Sequence, residues 1–402
     1  MRTRYRSALL AILACGALLP AGCARFDNTA AGQTFSPAPV ASPESPPEVQ
    51  GPGSDSGGDG KQSRPGQPAT TIPPPQGCKD FDQTVIATCL DTVAAVAGLP
   101  GDGSTPSALA GERKSGRVLL ATAGKDATEF AKLDVQAAGD GGLTGLALSP
   151  SYVEDQLVFA YVTTATDNRV VRFAKGQTPK PVLTGIPKGA TGNRGALGTD
   201  NRGALLVATG DAGNPNAAAD PSSLAGKVLR IDTSGKAAAG NPNGAIAVAA
   251  GLHAPGGLCA SADGGRVWVT DRLADKDALY RVQTGQPLTT PAWTWPDKPG
   301  VAGCADFVDA NGSISVGTSL AGNLQNLPVT AEGAISGKPT VSLDGKTGKP
   351  PVTYGRLAGI SMINPQLAVA GTVNKDGGTP VSSDDRVVLI TPATSGGGNG
   401  KD

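Results

Sequence analysis

From about residue 78 the chain alternates short apolar runs with turn-rich polar stretches, and six of these runs are alike. They are ALAGER (108–113), LVFAYVTT (157–164), ALLVATGD (204–211), RVWVTD (266–271), SISVGTS (313–319) and LAVAGT (367–372). Each is the length of a strand rather than a helix, and each is bounded by Gly, Asn or Asp. Their starts lie roughly 47 to 62 residues apart, close to the period of four-stranded propeller blades. Turn sequences DNRG, ADGG, DANG and MINP stand just upstream of four of them. Second apolar runs follow, among them NRVVRFA, GKVLRID, ALYRV and DRVVLITP. These alternate with period two or are apolar throughout, as strands covered on one or both faces must be. The pattern predicts an all-β fold, a six-bladed β-propeller. A β-sandwich is the main rival, but it has no need of six equal repeats. Residues 83–98 carry an apolar pattern that fits either a helix or the closing strand of a blade.

The flanks have a different character. Arg2, Arg4 and Arg6 precede an apolar stretch over residues 8–19. That stretch is shorter than the roughly 20 apolar residues a spanning helix needs, so it predicts a signal peptide. Ala21 and Gly22 then lead into Cys23, like the lipobox at which a diacylglyceryl group is added to a cysteine thiol. Pro20 departs from that pattern, and the alternative is a plain secretory signal with a coincidental cysteine. Each buried CH₂ of an acyl chain contributes about 0.8 kcal/mol, so two chains make a stable anchor without a transmembrane helix. Residues 24–76 are rich in Pro, Gly and Ser and nearly devoid of large apolar side chains, too few to offset the entropy of ordering. The expected organisation is a signal peptide (1–22), a lipid-anchored disordered linker (23–76), the propeller (77–392) and a disordered tail (393–402). The expected location is the extracytoplasmic face of the cell membrane.

Composition narrows the chemistry. Basic and acidic residues balance at 34 each, so no electrostatic drive toward nucleic acid exists and none is expected as partner. The single histidine, His253, excludes any metal site built on two histidines and any Ser-His-Asp triad that does not use it. Cys15 leaves with the signal peptide, and beside Cys23 the remaining cysteines are Cys78, Cys89, Cys259 and Cys304. Export favours disulfides, and four cysteines allow three pairings. Cys78–Cys89 would close a short local loop. Cys259 and Cys304 stand at near-equivalent places in neighbouring repeats, which makes their pairing geometrically reasonable. A buried pair of free thiols is the alternative.

Several motifs together resemble one family. GDGGLTGLALSPSY (139–152), VFAYVTTATDNRVVRF (158–173) and ALLVATGDAGNPNAAADPSSLAGKVLRID (204–232) are similar to segments of the glucose/sorbosone dehydrogenases. HAPGGL (253–258), VWVTD (267–271) and GRLAGI (355–360) fit later blades of the same family. The resemblance implies a six-bladed propeller that binds pyrroloquinoline quinone, usually with calcium, and oxidises sugars. It further implies a catalytic histidine in an HNGG-like motif about twenty residues before the TGD aspartate. Counting back from Asp211 places Gly192 there, in the run Thr191-Gly192-Asn193-Arg194-Gly195, and glycine accepts no proton.

Other implied positions are also altered. An Arg-Asn pair that would meet the quinone carboxylates is His253-Ala254, the second arginine of a GRLRG motif is Ala358, and an expected lysine finds Ala321 or Gly322. Asp140, Asp211 and Arg356 match, and with His253 they are the candidate ligand-facing residues. Asp211, Asn214, Asn216 and Asp220 form an oxygen-rich set that would suit Ca²⁺; the favoured alternative is that they cap turns. His253 is a candidate substitute base or simply a rim histidine. Trp293 and Trp295 are expected to pack between blades rather than to stack on sugars. The expectation is a degenerate, non-catalytic propeller, needing no cofactor, that binds an envelope glycan or protein partner. The alternative is an active quinone-dependent sugar dehydrogenase with an altered site, requiring pyrroloquinoline quinone and calcium.

Overall fold

The structure, a computed structural model, describes residues 72–348 and 351–392. The expected signal peptide, Cys23, the linker as far as residue 71 and the tail 393–402 lie outside the described residues. The described chain folds as a six-bladed β-propeller. Blades 1 to 5 each consist of four consecutive antiparallel strands, with inner strands Val93–Gly98, Leu143–Leu148, Gly195–Thr199, Pro255–Ala260 and Val301–Phe307. Blade 6 has Leu357–Asn364 innermost, then Leu367–Thr372 and Val387–Ile390, and takes its outer strand, Val85–Ala87, from the start of the domain. Residues 83–98 therefore hold two strands and no helix: the closing strand of blade 6 and the inner strand of blade 1. The ring is closed by a segment from the opposite end of the domain, which removes the free edges an open sheet would expose.

The six runs singled out by their spacing are the second strands of the six blades, within a residue or two at each end. They read most clearly because both of their faces are buried. In blade 1, Ala108 and Ala110 pack toward blade 6 while Leu109 packs toward blade 2. Similar apolar clusters fill the other interfaces between neighbouring blades.

The inner strands follow a different rule. They converge on the channel, so their backbones come close and small residues are required. A Cβ on Gly303 of blade 5 would lie 2.2 Å from the Ile360 nitrogen of blade 6. One on Gly359 of blade 6 would lie 2.9 Å from the Ala94 oxygen of blade 1.

Both disulfides join the expected partners, with Cα–Cα distances of 5.4 Å for Cys78–Cys89 and 5.6 Å for Cys259–Cys304. The first flanks the closing strand Val85–Ala87, whose far end is held by Cys89 N donating to Ser383 O and Leu90 N to Asp385 O. The second ties the inner strands of blades 4 and 5.

Candidate functional site

In an antiparallel blade the start of the inner strand and the end of the second strand lie at the same end of the ring. Asp140, Gly192, His253 and Arg356 precede inner strands, while Arg113, Asp211 and Asp271 end or follow second strands. All therefore gather at one mouth of the channel. The opposite mouth is a cavity of about 520 Å³ lined by the far ends of the inner strands, Cys259 and Cys304 among them.

The centre of the site is Asp211, buried at the end of the TGD turn. Its Oδ1 accepts from Gly213 N at 2.8 Å, and its Oδ2 lies 3.0 Å from His253 Nδ1 on the next blade. His253 keeps 35% of its side chain exposed. Its backbone is held from below: His253 N and Ala254 N both donate to the buried Asp271 carboxylate, at 3.0 and 2.7 Å. Burial lifts the Asp271 carboxyl to about 6, against those amide hydrogen bonds.

Gly192 faces the same carboxylate. It has φ +70°, and a Cβ there would lie 2.6 Å from Asp211 Oδ1 and 2.6 Å from Gly213 N. Neither the backbone conformation nor the space admits a side chain. Asp140 closes the loop from the other side, accepting from Gly192 N at 3.0 Å and Asn193 N at 3.2 Å.

The oxygen-rich set Asp211, Asn214, Asn216 and Asp220 lines one cavity of about 450 Å³. Its oxygens are engaged locally. Asn214 accepts from Asn216 N at the start of the short helix Pro215–Ala219, and Asp220 accepts from Ser222 N and Oγ. The buried Lys227 ammonium donates to the carbonyls of Ala217, Ala218 and Ala225 at 2.9–3.0 Å. A built-in cation thus already serves this loop. No group of three or more His, Cys, Asp or Glu suited to a metal occurs among the described residues. Trp293 and Trp295 form part of the outer strand of blade 4 and pack in the cluster between blades 4 and 5.

Sequence reasoning singled out Arg356 but missed the other arginines of the mouth, Arg113, Arg194 and Arg272. Arg194 starts blade 3, yet the charges that act on it are Asp140 before blade 2, Arg113 of blade 1 and Asp376 of blade 6. It acts in turn on Arg272 of blade 4, as does Arg356 of blade 6. Arg113 and Arg272 stand at the ends of second strands and Arg194 and Arg356 just before inner strands, so all four belong to the same mouth. Burial lowers Arg194 from its ordinary value, and burial with repulsion from Arg194 and Arg356 brings Arg272 down to about 9. The signal in the sequence was an arginine at the third position of the HNGG-like motif, where the resemblance implies glycine.

These residues do not reproduce the quinone cradle the resemblance implies. Of the implied cationic positions Arg356 is kept, one is His253, which is turned to Asp211, and the others are Ala358 and Ala321 or Gly322. Arg194 instead stands at this mouth, just before the inner strand of blade 3. In the calcium set Asp211 Oδ1, Asn214 and Asp220 serve their own turns, and Asp211 Oδ2 faces His253.

Comparison with known proteins places this geometry. The model of the Glucose / Sorbosone dehydrogenase family matches residues 94–298. Among solved structures, the PQQ-bound form of aldose sugar dehydrogenase from Streptomyces coelicolor is 27% identical with a TM-score of 0.68, covering 79% of this chain and 99% of that one. An oxidoreductase (glucose dehydrogenase) from Thermus thermophilus is 26% identical with a TM-score of 0.67, covering 76% and 98%. The aldose sugar dehydrogenase of Escherichia coli in its apo form, 19% identical with a TM-score of 0.62 over 77% and 99%, shares the fold. No curated protein matches the chain.

Proposed function

The chain belongs to the glucose/sorbosone dehydrogenase family, and from that premise we propose that it is a non-catalytic member that binds carbohydrate at the cell envelope, anchored through a lipid on Cys23. The observation that carries this reading is the contact between Gly192 and Asp211. Where the resemblance implies a proton acceptor, there is a glycine, and its missing Cβ would sit 2.6 Å from a carboxylate oxygen. Hydride removal from a sugar carbinol needs a base within hydrogen-bond reach of the hydroxyl. A rigid ring of loops around a channel mouth keeps its capacity to bind when the base is lost. Carbohydrate is the ligand class because two similar solved structures, 27% and 26% identical, are named an aldose sugar dehydrogenase and a glucose dehydrogenase.

The test is a dye-reduction assay on purified protein with pyrroloquinoline quinone, Ca²⁺ and a panel of aldoses. No sugar-dependent reduction above the protein-free rate is expected. A glycan array on the same protein should return carbohydrate ligands; an empty array with a specific crosslinked protein on intact cells would replace the glycan with a protein partner.

A second reading, an active dehydrogenase with an altered site, draws on the 3.0 Å contact between His253 Nδ1 and Asp211 Oδ2. A carboxylate that accepts from Nδ1–H leaves Nε2 as an acceptor, the arrangement that holds an imidazole ready as a base. Saturable dye reduction that disappears in both His253→Ala and Asp211→Ala would establish this reading and remove the first.

A further inference from the structure

We propose that the arginine cluster at the channel mouth is a seat for a sugar carrying an oxyanion, a carboxylate or a phosphate ester, held against Arg194 and Arg356. The inference rests on the carbohydrate-binding reading above and adds the charge of the ligand.

The four guanidiniums divide into two pairs. Arg113 is committed: it donates to the carbonyls of Gly139 and Gly141 at 3.2 and 2.8 Å and pairs with Asp376 at 2.9 Å. Arg272 is committed as well, donating to Val301 O, Gly300 O and Ser319 Oγ at 2.7–3.0 Å. Arg194 is different. Its side chain makes no hydrogen bond and no ion pair among the described residues, and its Nε is buried without a partner. Arg356 donates through Nη1 to Gly377 O, while its Nε is also buried and unpartnered.

A buried donor left unpaired costs about 1–3 kcal/mol, more when charged, so two of them at one mouth, before the inner strands of blades 3 and 6, need an account. The local acids do not supply it. Asp376 is shared by Arg113 and Lys114. Asp140 is turned to the amides of Gly192 and Asn193, and Asp277 accepts from Gly300 N and Val301 N at 2.6 and 3.0 Å. Burial chiefly lowers Arg194 and Arg272, and neighbouring guanidiniums at the mouth lower them further. An oxyanion entering from solvent relieves both problems at once. It offers acceptors to both guanidiniums, whose planar fork suits carboxylate and phosphate alike.

The test is calorimetric titration of purified protein with glucose, glucuronate, glucose 6-phosphate and inorganic phosphate, at low and high NaCl. At least one charged sugar should bind at least tenfold more tightly than glucose and weaken as salt rises. Glucuronate alone points to a carboxylate source, glucose 6-phosphate alone to a phosphate ester. Arg194→Gln and Arg356→Gln should each weaken that binding at least tenfold. Arg202→Gln, whose Nε donates to Asp263 O at the other end of the ring, should not. Thermal melts of each variant separate lost binding from lost fold. Equal binding of charged and neutral sugars, or unchanged affinity in a folded Arg194→Gln protein, overturns the oxyanion seat. Inorganic phosphate binding as tightly as the best charged sugar overturns the sugar half of the proposal. None of these results depends on dye reduction. A seat that fails here leaves the non-catalytic reading standing, and dye reduction with a working seat removes only the non-catalytic claim.

Discussion

Gly192 and Asp211 are built against each other: the α-carbon of one occupies ground where any β-carbon would strike the carboxylate of the other at 2.6 Å. The loop has adapted to glycine, since Gly192 sits at φ +70° and its amide is spent on Asp140. Restoring a histidine is therefore expected to damage the fold rather than revive activity. Gly192→His combines overpacking, about 1–3 kcal/mol, with left-handed strain of about 1–2 kcal/mol. A loss of about 2–5 kcal/mol of stability, read as a lower urea denaturation midpoint, is expected. A midpoint equal to wild type would mean that the loop opens freely.

The two disulfides should differ in what they stabilise. Cys259–Cys304 spans 45 residues and Cys78–Cys89 spans 11. By chain entropy the first contributes about 4 kcal/mol and the second about 3 kcal/mol. Removing Cys259–Cys304 with a double serine variant should lower global stability more. Removing Cys78–Cys89 should instead release the closing strand, and amide exchange at Val85–Ala87 should rise before exchange elsewhere. Uniform exchange in that variant would show that strand pairing with Val387 and Val388 is sufficient by itself.

Lys227 should be worth more to its loop than calcium. Its ammonium satisfies three backbone carbonyls, and burial lowers it from its ordinary value. Lys227→Met keeps the stem but strands those acceptors, at about 1–3 kcal/mol for each left unsatisfied. A loss of at least about 2 kcal/mol in denaturant is expected. Wild-type protein should melt at the same temperature in excess Ca²⁺ and in EDTA. A calcium-dependent rise in Tm would show a bound ion by mass action and restore the metal candidate.

The legibility of this protein in its sequence follows the kind of constraint at each position. The second strands are readable because burial on both faces demands apolar runs, as in Val158–Thr163. The inner strands are less so: Gly195–Thr199 reads GALGT, and its requirement is close approach, not hydrophobicity. Gly192 could be located by counting from Asp211 because that spacing is local to one hairpin. The tie from Asp211 to His253, and the influence of Arg194 and Arg356 on Arg272, join residues on different blades. An arginine beside a strand end looks like an ordinary solvated side chain until the ring closes and turns it into the mouth. The oxygen-rich loop left two readings open, with turn-capping favoured, since Asp and Asn serve both calcium and turn-capping in sequence.

The buried Asp271 gives stability an unusual pH dependence. Burial raises its carboxyl from an ordinary value near 3.8 to about 6 in the folded protein. The native state thus holds the proton more tightly than the unfolded chain. That contribution is fully present below about 3.8 and is lost as pH rises through about 6. Asp385, also raised by burial, acts in the same direction. The lowered acids Asp167 and Asp376 act oppositely, but only once pH falls below the ordinary carboxylate value. Between about pH 7 and 5 the Tm should rise on acidification, and Asp271→Asn should flatten that slope. A Tm that falls over this interval in wild type would place Asp271 below its ordinary value.

Anchoring can be separated from everything above with one atom. Cys23 precedes a Pro/Gly/Ser-rich stretch and follows Ala21-Gly22, and a lipobox offers its thiol as the sole acyl acceptor. Two acyl chains hold a protein on a bilayer firmly, whereas the propeller itself has no helix among the described residues long and apolar enough to cross one. Cys23→Ser should therefore shift the protein from the membrane fraction to the medium, with its melting temperature unchanged once purified. Fractionation of cells carrying the serine variant decides the matter. A variant that stays with the membrane would mean that the chain is held by a partner or by an uncleaved leader, not by a lipid on Cys23.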